Sequence, residues 1–275
     1  RRAPPRLNAL PMKRFLPLAL LLLTLPVRGV EIVAHRGASF DAPENTVASA
    51  KLAWEHRADA VELDIWLTKD GQLAVIHDGN TKRTTGRDAK IASLTLAEIR
   101  QLDAGSWKSP KYAGEKIPTL DEMLATLPAG KRIFIEIKTG PEAVPELVAT
   151  LKRNRIAAAQ AVIISFNFES IRAAKQALTA HTALWLANKP STDPKKPSPS
   201  LDELMAACRR AGLDGLDLNY GWPLDAAAVK RIRDAKLQLH VWTVDDPTVA
   251  KHWVALGVDG ITTNRAGWLR QQLSP

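Results

Sequence analysis

From residue 30 onward, eight short runs of apolar and β-branched residues alternate with amphipathic helical patterns, and few folds accept that rhythm. The runs cover 32–36, 60–66, 133–138, 162–166, 183–186, 215–218, 238–243 and 260–262, with helical patterns between them at, for example, 201–211 and 224–236. Strand–helix alternation requires crossover connections, and crossovers make parallel sheets. Eight such units in about 245 residues have the size of a TIM (β/α)8 barrel. An open, doubly wound sheet is the competing arrangement. The expected fold class is therefore α/β, a TIM barrel, with one irregularity. After the second run, Lys69-Asp70-Gly71 is turn chemistry leading into a further extended run at 73–77, so a hairpin is expected there. The stretch that follows, about 78–118, breaks the alternation and is expected to be a short inserted subdomain capping one end of the barrel. The Pro- and Lys-rich stretch 188–200 is expected to be a loop, because the same rhythm resumes beyond it.

The N-terminal segment explains most of the net charge of +9. Residues 1–29 hold Arg1, Arg2, Arg6, Lys13, Arg14 and Arg28 and no acid, which leaves 32 basic residues (38 less six) against 29 acidic ones. The remainder has no contiguous basic stripe, which argues against a nucleic-acid partner. Met12-Lys13-Arg14 followed by the 12-residue apolar run 15–26 and Val27-Arg28-Gly29 reads as a signal peptide cleaved near Gly29, preceded by upstream residues. A bilayer span needs about 20 apolar residues, so no stable membrane anchor is expected. The reading is thus upstream and signal residues at 1–29, one domain at 30–275, and an exported, periplasmic or secreted product. Cys208 is the one cysteine, so disulfide frameworks and cysteine-based metal or redox motifs are excluded, and any metal must use oxygen or imidazole.

Strand alternation locates the chemistry. In Val61-Glu62-Leu63-Asp64-Ile65 the apolar residues share one face and the two acids the other; in the run 133–138, Ile133, Ile135 and Ile137 oppose Phe134, Glu136 and Lys138. With the apolar faces under the helices, Glu62, Asp64, Glu136 and Lys138 point into the lumen, where unpaired charge costs several kcal/mol. One divalent cation, Ca2+ or Mg2+, would compensate the three carboxylates. A lumenal salt-bridge network among Glu62, Asp64, Glu136, Lys138 and Arg36 is the alternative. His35-Arg36-Gly37 ends the first strand run and His77-Asp78 ends the extended run after Gly71. Both imidazoles therefore stand where a strand becomes a loop, beside the acids, and a pair of imidazoles can hold one base and one acid at neutral pH. The Arg36 guanidinium is a planar fork suited to phosphate oxygens.

These elements resemble the glycerophosphodiester phosphodiesterase family. The matching pieces are His35-Arg36-Gly37, Pro43-Glu44-Asn45-Thr46, Glu62-Leu63-Asp64 with Leu67-Thr68-Lys69-Asp70-Gly71, Val75-Ile76-His77-Asp78, Glu136-Ile137-Lys138, Val241-Trp242-Thr243-Val244 and Gly257-Val258-Asp259-Gly260-Ile261, spanning about 31–265. The resemblance implies metal-dependent hydrolysis of glycerophosphodiesters to sn-glycerol 3-phosphate and an alcohol. It implies metal binding by Glu62, Asp64 and Glu136, general acid–base catalysis by His35 and His77, phosphate contact by Arg36 and Lys138, and a further active-site place for Glu44. Trp242 shares a strand face with His240 and is expected either to wall the glycerol carbons or to fill the lumen. His240 is expected to be a buried structural residue, and His56, His181 and His252 exposed. Two departures from the family pattern stand out: Asp245 where Asn is frequent, and the bulky Trp66. Alternative readings of the same residues are a phospholipase D- or C-like activity on lysophospholipids and a non-catalytic phosphodiester-binding protein. Oligomeric state is not readable from this sequence.

Overall fold

The computed structural model describes residues 29–193, 195 and 197–274; the expected signal peptide lies outside them apart from Gly29. Eight parallel strands close into a barrel: β1 (Glu31–Ala34), β2 (Ala60–Leu67), β4 (Arg132–Ile137), β5 (Ala161–Ser165), β6 (Thr182–Ala187), β7 (Gly215–Asn219), β8 (Gln238–Trp242) and β9 (Gly260–Thr263), with β1 hydrogen-bonded to both β9 and β2. The short strand β3 (Leu73–Val75) pairs antiparallel with β2 outside the barrel, as the turn at Lys69-Asp70-Gly71 required. The fold is thus the TIM barrel, and the open sheet is excluded by the β1–β2 pairing that closes it.

Helices α1 (Val47–Glu55), α4 (Leu120–Leu124), α5 (Val144–Arg153), α6 (Phe168–Ala177), α7 (Leu201–Ala211), α8 (Ala226–Asp234), α9 (Pro247–Leu256) and α10 (Ala266–Leu273) surround the strands. Their ends are set by local chemistry. Helix α7 starts at Ser200, whose hydroxyl accepts from Glu203 N–H while the Glu203 side chain reaches back, and it stops at Gly212 with φ 67°.

The alternation read from β2 and β4 sorts two packed layers. Val61, Leu63, Ile65, Ile133, Ile135 and Ile137 lie in the core between barrel and helices. Ala60 and Phe134 face inward and join Val33, Val162, Ile164, Leu184 and Leu186 in a separate lumenal cluster. The strands' opposite faces are both dry, which is why these runs read as near-continuously apolar.

Residues 78–118 contain two single-turn helices, α2 (Lys82–Thr85) and α3 (Leu96–Ile99), with short 3-10 turns at Ile91–Ser93 and Pro110–Tyr112. They pack around a small core of their own: Ala74, Ile76, Ile91, Leu94, Ile99, Leu102, Ala104 and Ile117. Lys108 Nζ donates to the Ser39 carbonyl at 2.8 Å and Tyr112 Oη to that of Asp41 at 3.1 Å, which fastens this segment to the loop after β1. Among the described residues no helix is long and apolar enough to cross a membrane. His252 is exposed as expected, whereas His56 and His181 are half-buried, a correction to the sequence reading; His56 lies within 3.9 Å of Asp41.

Candidate active site

The loop after β1 builds one wall. Arg36 has φ 54° and Gly37 φ 79°, a sharp left-handed turn. Gly37 is required there because a Cβ would sit 2.4 Å from Ser49 Oγ. The strained Arg36 backbone is held by its N–H donating to Glu62 Oε2 at 2.9 Å and its carbonyl accepting from Asn45 N–H at 3.0 Å. Each residue of Glu44-Asn45-Thr46 then has a task. Glu44 accepts from Arg36 Nη1 at 2.8 Å, Asn45 Nδ2 donates to Asp64 Oδ2 at 2.7 Å, and Thr46 caps α1. The loop is thereby tied to the acids of β2.

Glu62, Asp64 and Glu136 are buried and offer ligand oxygens that all lie within 4.8 Å of one another. Two cations face them: Arg36 Nε stands 3.4 Å from Asp64 Oδ2, and Lys138 Nζ stands 2.8 Å from Glu136 Oε1 and 3.5 Å from Asp64 Oδ1. Burial by itself would raise the Asp64 pKa, but Arg36 and Lys138 outweigh it and hold that carboxyl below its usual range. The other two are not so compensated. Burial, then Asp64 and Glu136, push Glu62 well above the carboxylate range, and burial, then Asp64, lifts Glu136 to about 8. Three carboxyls so close to each other lack enough positive charge, and Asp64 Oδ1 has no hydrogen-bond partner. An oxygen-only donor set of this kind fits a hard divalent cation, whose charge would let all three ionise. The salt-bridge network weighed from sequence does exist, yet two cations leave it short of neutral.

Both sequence-identified imidazoles reach the same cavity. His35 Nδ1 contacts Asn264 Oδ1 at 2.7 Å, and its Nε2 lies 4.0 Å from Glu62 Oε2. Burial, then the charge of Arg36, lowers the His35 pKa to about 4. His77 Nδ1 contacts Asp78 Oδ1 at 2.7 Å, and Asp78 in turn accepts from Arg83 Nε at 2.6 Å. Trp66 Nε1 donates to the His77 carbonyl at 3.0 Å; Gly79 must lack a side chain because a Cβ there would come within 2.7 Å of that indole.

His35, Arg36, Glu62, His77, Glu136, Lys138 and Trp242 line one cavity of about 130 Å³. Asp64 lies beneath it, held by Arg36, Lys138 and Asn45. Glu44 is set apart: it lines an adjoining, more open pocket of about 240 Å³ with His35, Arg36, Ser39, Phe40, Trp107, Lys108 and Asn264. Trp242 packs edge-on against Phe166 with centroids 5.4 Å apart, and its peptide bond to Thr243 is cis. Trp242 is a cavity wall, and His240 is a buried lumenal residue whose ring is tilted against that of Phe134.

The sequence reading missed four contributors. Asp78 and Asn264 stand in loops and Arg83 in the single-turn helix α2, segments too short to show a periodicity. Asp217 did leave a signal: in Gly215-Leu216-Asp217-Leu218 it alternates with two leucines just as Glu62 does, and it faces the cavity with burial, then Glu136, raising its carboxyl to about 8.

Residues 35–267 match the model of the glycerophosphoryl diester phosphodiesterase family. Among similar proteins, a glycerophosphodiester phosphodiesterase of Caldanaerobacter subterraneus is 35% identical over 240 residues, covering 85% of this chain and 93% of that one. One from Bacillus subtilis is 33% identical over 249 residues, covering 84% and 82%. A phosphodiesterase of Oleispira antarctica, solved in complex with the product sn-glycerol-3-phosphate, superposes with a TM-score of 0.79 at 28% identity, covering 88% of this chain and 96% of that one.

Proposed function

This chain belongs to the glycerophosphoryl diester phosphodiesterase family, a family of hydrolases, and we propose that it cleaves glycerophosphodiesters to sn-glycerol 3-phosphate and an alcohol. One observation carries the reading: two cationic groups that can bind phosphate, Arg36 and Lys138, and two imidazoles, His35 and His77, converge on one small cavity over the acid triad. The solved relative holding sn-glycerol-3-phosphate supports the identity of the retained product.

Glu62, Asp64 and Glu136 would hold one Ca2+ or Mg2+, which when bound supplies Lewis-acid polarisation of a phosphoryl oxygen and lets the carboxylates stay charged. Arg36 and Lys138 bind nonbridging phosphoryl oxygens and offset the charge that builds on them during in-line displacement at phosphorus. The two imidazoles divide the proton work: one removes the nucleophile's proton, the other protonates the departing alkoxide, each contributing on the order of 10² to 10⁴ in rate. Both can do so through Nε2, because Nδ1 of each is engaged by Asn264 or Asp78. Phe166, Ile164 and Trp242 make one wall of the cavity apolar.

Deacylated diesters suit the site better than lysophospholipids. The adjoining pocket mixes Phe40 and Trp107 with Ser39, Glu44, Lys108 and Asn264, a polar lining for an alcohol headgroup and a poor bed for an acyl chain. The deciding experiment is release of glycerol 3-phosphate from glycerophosphoethanolamine and glycerophosphocholine, read by a coupled dehydrogenase, after EDTA treatment and return of single divalent ions. No product from any glycerophosphodiester with Mg2+ or Ca2+ sinks the proposal. Export after cleavage near Gly29 rests on the sequence of residues 12–29, and intact-mass measurement of the secreted or periplasmic protein tests it.

A further inference from the structure

The reaction drawn above gives Asp217 no part, although it lines the same cavity. Its side chain projects from β7 into the lumen and is 1% exposed, between Leu186 of β6 and His240 of β8 in the strand register. Oδ1 has no hydrogen-bond partner, and among the described residues no Lys, Arg or His lies within ion-pair distance of the carboxyl. Its surroundings are the dry lumenal cluster of Val162, Ile164, Leu184 and Leu186. A buried polar group left without a partner is expensive. A carboxyl retained among these side chains therefore calls for a partner that arrives through the cavity.

Barrel topology tells which part of a substrate that partner would be. The acid triad and the phosphate-binding and proton-transfer groups come from β1, β2 and β4, at or near their ends, and from the turn after β3, all on one side of the ring. Asp217, Leu186 and Trp242 come from β6, β7 and β8 on the opposite side. A molecule with its phosphoryl group at Arg36 and Lys138 thus extends its small, invariant portion toward Asp217, while the open pocket beside Glu44 takes the variable alcohol.

We propose that Asp217 is a specificity-determining residue that hydrogen-bonds the free hydroxyls of the substrate's glycerol moiety, with Trp242 and Leu186 covering its carbon faces. This rests on the functional reading above and narrows it. The selected substrates are phosphodiesters of a polyol with unesterified hydroxyls, and glycerol acylated at those positions is rejected for want of both hydrogen bonds and room. The assignment stands on placement: an ionised carboxyl accepts from two hydroxyls, and a neutral one accepts and donates. A site built to hydrogen-bond a hydroxyl discriminates strongly against the analogue lacking it, because its own buried group is then left unpaired.

The test compares kcat/KM for glycerophosphoethanolamine with that for propylphosphoethanolamine, which lacks both hydroxyls. The wild-type ratio is expected to be about 10² or more. In Asp217→Leu it should collapse to within a few-fold of one, and in Asp217→Asn, whose amide still accepts and donates, it should fall to an intermediate value. A wild-type ratio near one overturns the inference, as does an unchanged ratio in a folded Asp217→Leu. Should the leucine variant fail to fold, the isosteric Asp217→Asn decides alone: a several-fold fall supports the inference, an unchanged ratio overturns it. Wild-type protein inactive on every glycerophosphodiester would instead sink the underlying function.

Discussion

Asn264 Oδ1 lies 2.7 Å from His35 Nδ1, although 229 positions separate the two residues. The amide's orientation is fixed from behind, since Asn264 Nδ2 donates to Asp245 Oδ2 at 2.6 Å and a carboxylate only accepts. Its oxygen must then face the ring, so His35 carries its proton on Nδ1 and leaves Nε2 free for the substrate. Asn264→Leu removes that constraint and should lower kcat by on the order of 10- to 10²-fold, a part of what a positioned imidazole contributes. Asp245→Ala, which releases Asn264, should act in the same direction and less. Steady-state kcat with an unchanged circular dichroism spectrum checks both; wild-type kcat in Asn264→Leu would sink the positioning role.

The second imidazole is braced by charges. Arg83 donates to Asp78 through Nε at 2.6 Å and to Glu44 through Nη1 and Nη2 at 2.9 and 2.8 Å, so His77, Asp78, Arg83, Glu44 and Arg36 form one chain of contacts. His77 and His35 therefore have unlike partners, a carboxylate and an amide, and their removal should have unlike consequences. Loss of the imidazole that protonates the leaving group should cripple release of ethanolamine yet spare release of p-nitrophenolate, which departs without a proton. Loss of the other should impair both. Comparing His35→Ala and His77→Ala on glycerophosphoethanolamine and a p-nitrophenyl glycerophosphodiester is expected to separate the two variants by about 10² in leaving-group dependence. Identical profiles would refute a divided acid–base pair.

How much of this could be read in advance depended on periodicity. Glu62, Asp64, Glu136 and Lys138 were legible because a strand repeats every two residues and three apolar partners named the opposite face. The barrel was legible for the same reason. Glu44 was reached only through family resemblance, since its partners Arg36 and Arg83 lie 8 and 39 positions away, in the turn after β1 and the single-turn helix α2. The two departures from the family pattern acquire a physical meaning only in three dimensions. Trp66 holds the His77 carbonyl, and Asp245 holds the amide that orients His35, so each unusual residue supports one imidazole. The stretch 78–118 gave no pattern because its turns are too short for one, although six of its apolar residues gather into a core with Ala74 and Ile76 of the preceding extended run.

The acid triad makes a prediction that needs no turnover. A cation that binds folded protein only raises its stability by mass action, about 2.7 kcal/mol at a hundred-fold excess over Kd. The melting temperature of EDTA-treated wild type should therefore rise on titration with Ca2+ or Mg2+. Glu136→Gln removes a carboxyl that burial and Asp64 keep from ionising in the folded state, so near neutral pH the metal-free protein should melt higher than wild type while the metal-induced rise shrinks or disappears. An undiminished rise in Glu136→Gln would mean that the cation sits elsewhere.

Stability should also depend on pH through a residue far below the reaction. His240 is 1% exposed, its ring centroid is 5.3 Å from that of Phe134, and its Nδ1 has no hydrogen-bond partner. Burial, then the charge of Arg132, lowers its pKa to about 3, against an ordinary 6.5. Between those values the unfolded chain binds a proton that the folded chain refuses, so this residue's contribution to stability falls as pH drops from about 6.5 toward 3. Other groups in the lumen titrate as well, Asp217 with the opposite sign because its carboxyl is raised to about 8. The contribution of His240 is therefore read as a difference between proteins. His240→Phe keeps an aromatic ring against Phe134 and cannot titrate. Its melting temperature relative to wild type should be higher at pH 5 than at pH 7.5, and the gap should widen further toward pH 4. A gap independent of pH would show that the ring takes up its proton as readily in the folded barrel as in the unfolded chain.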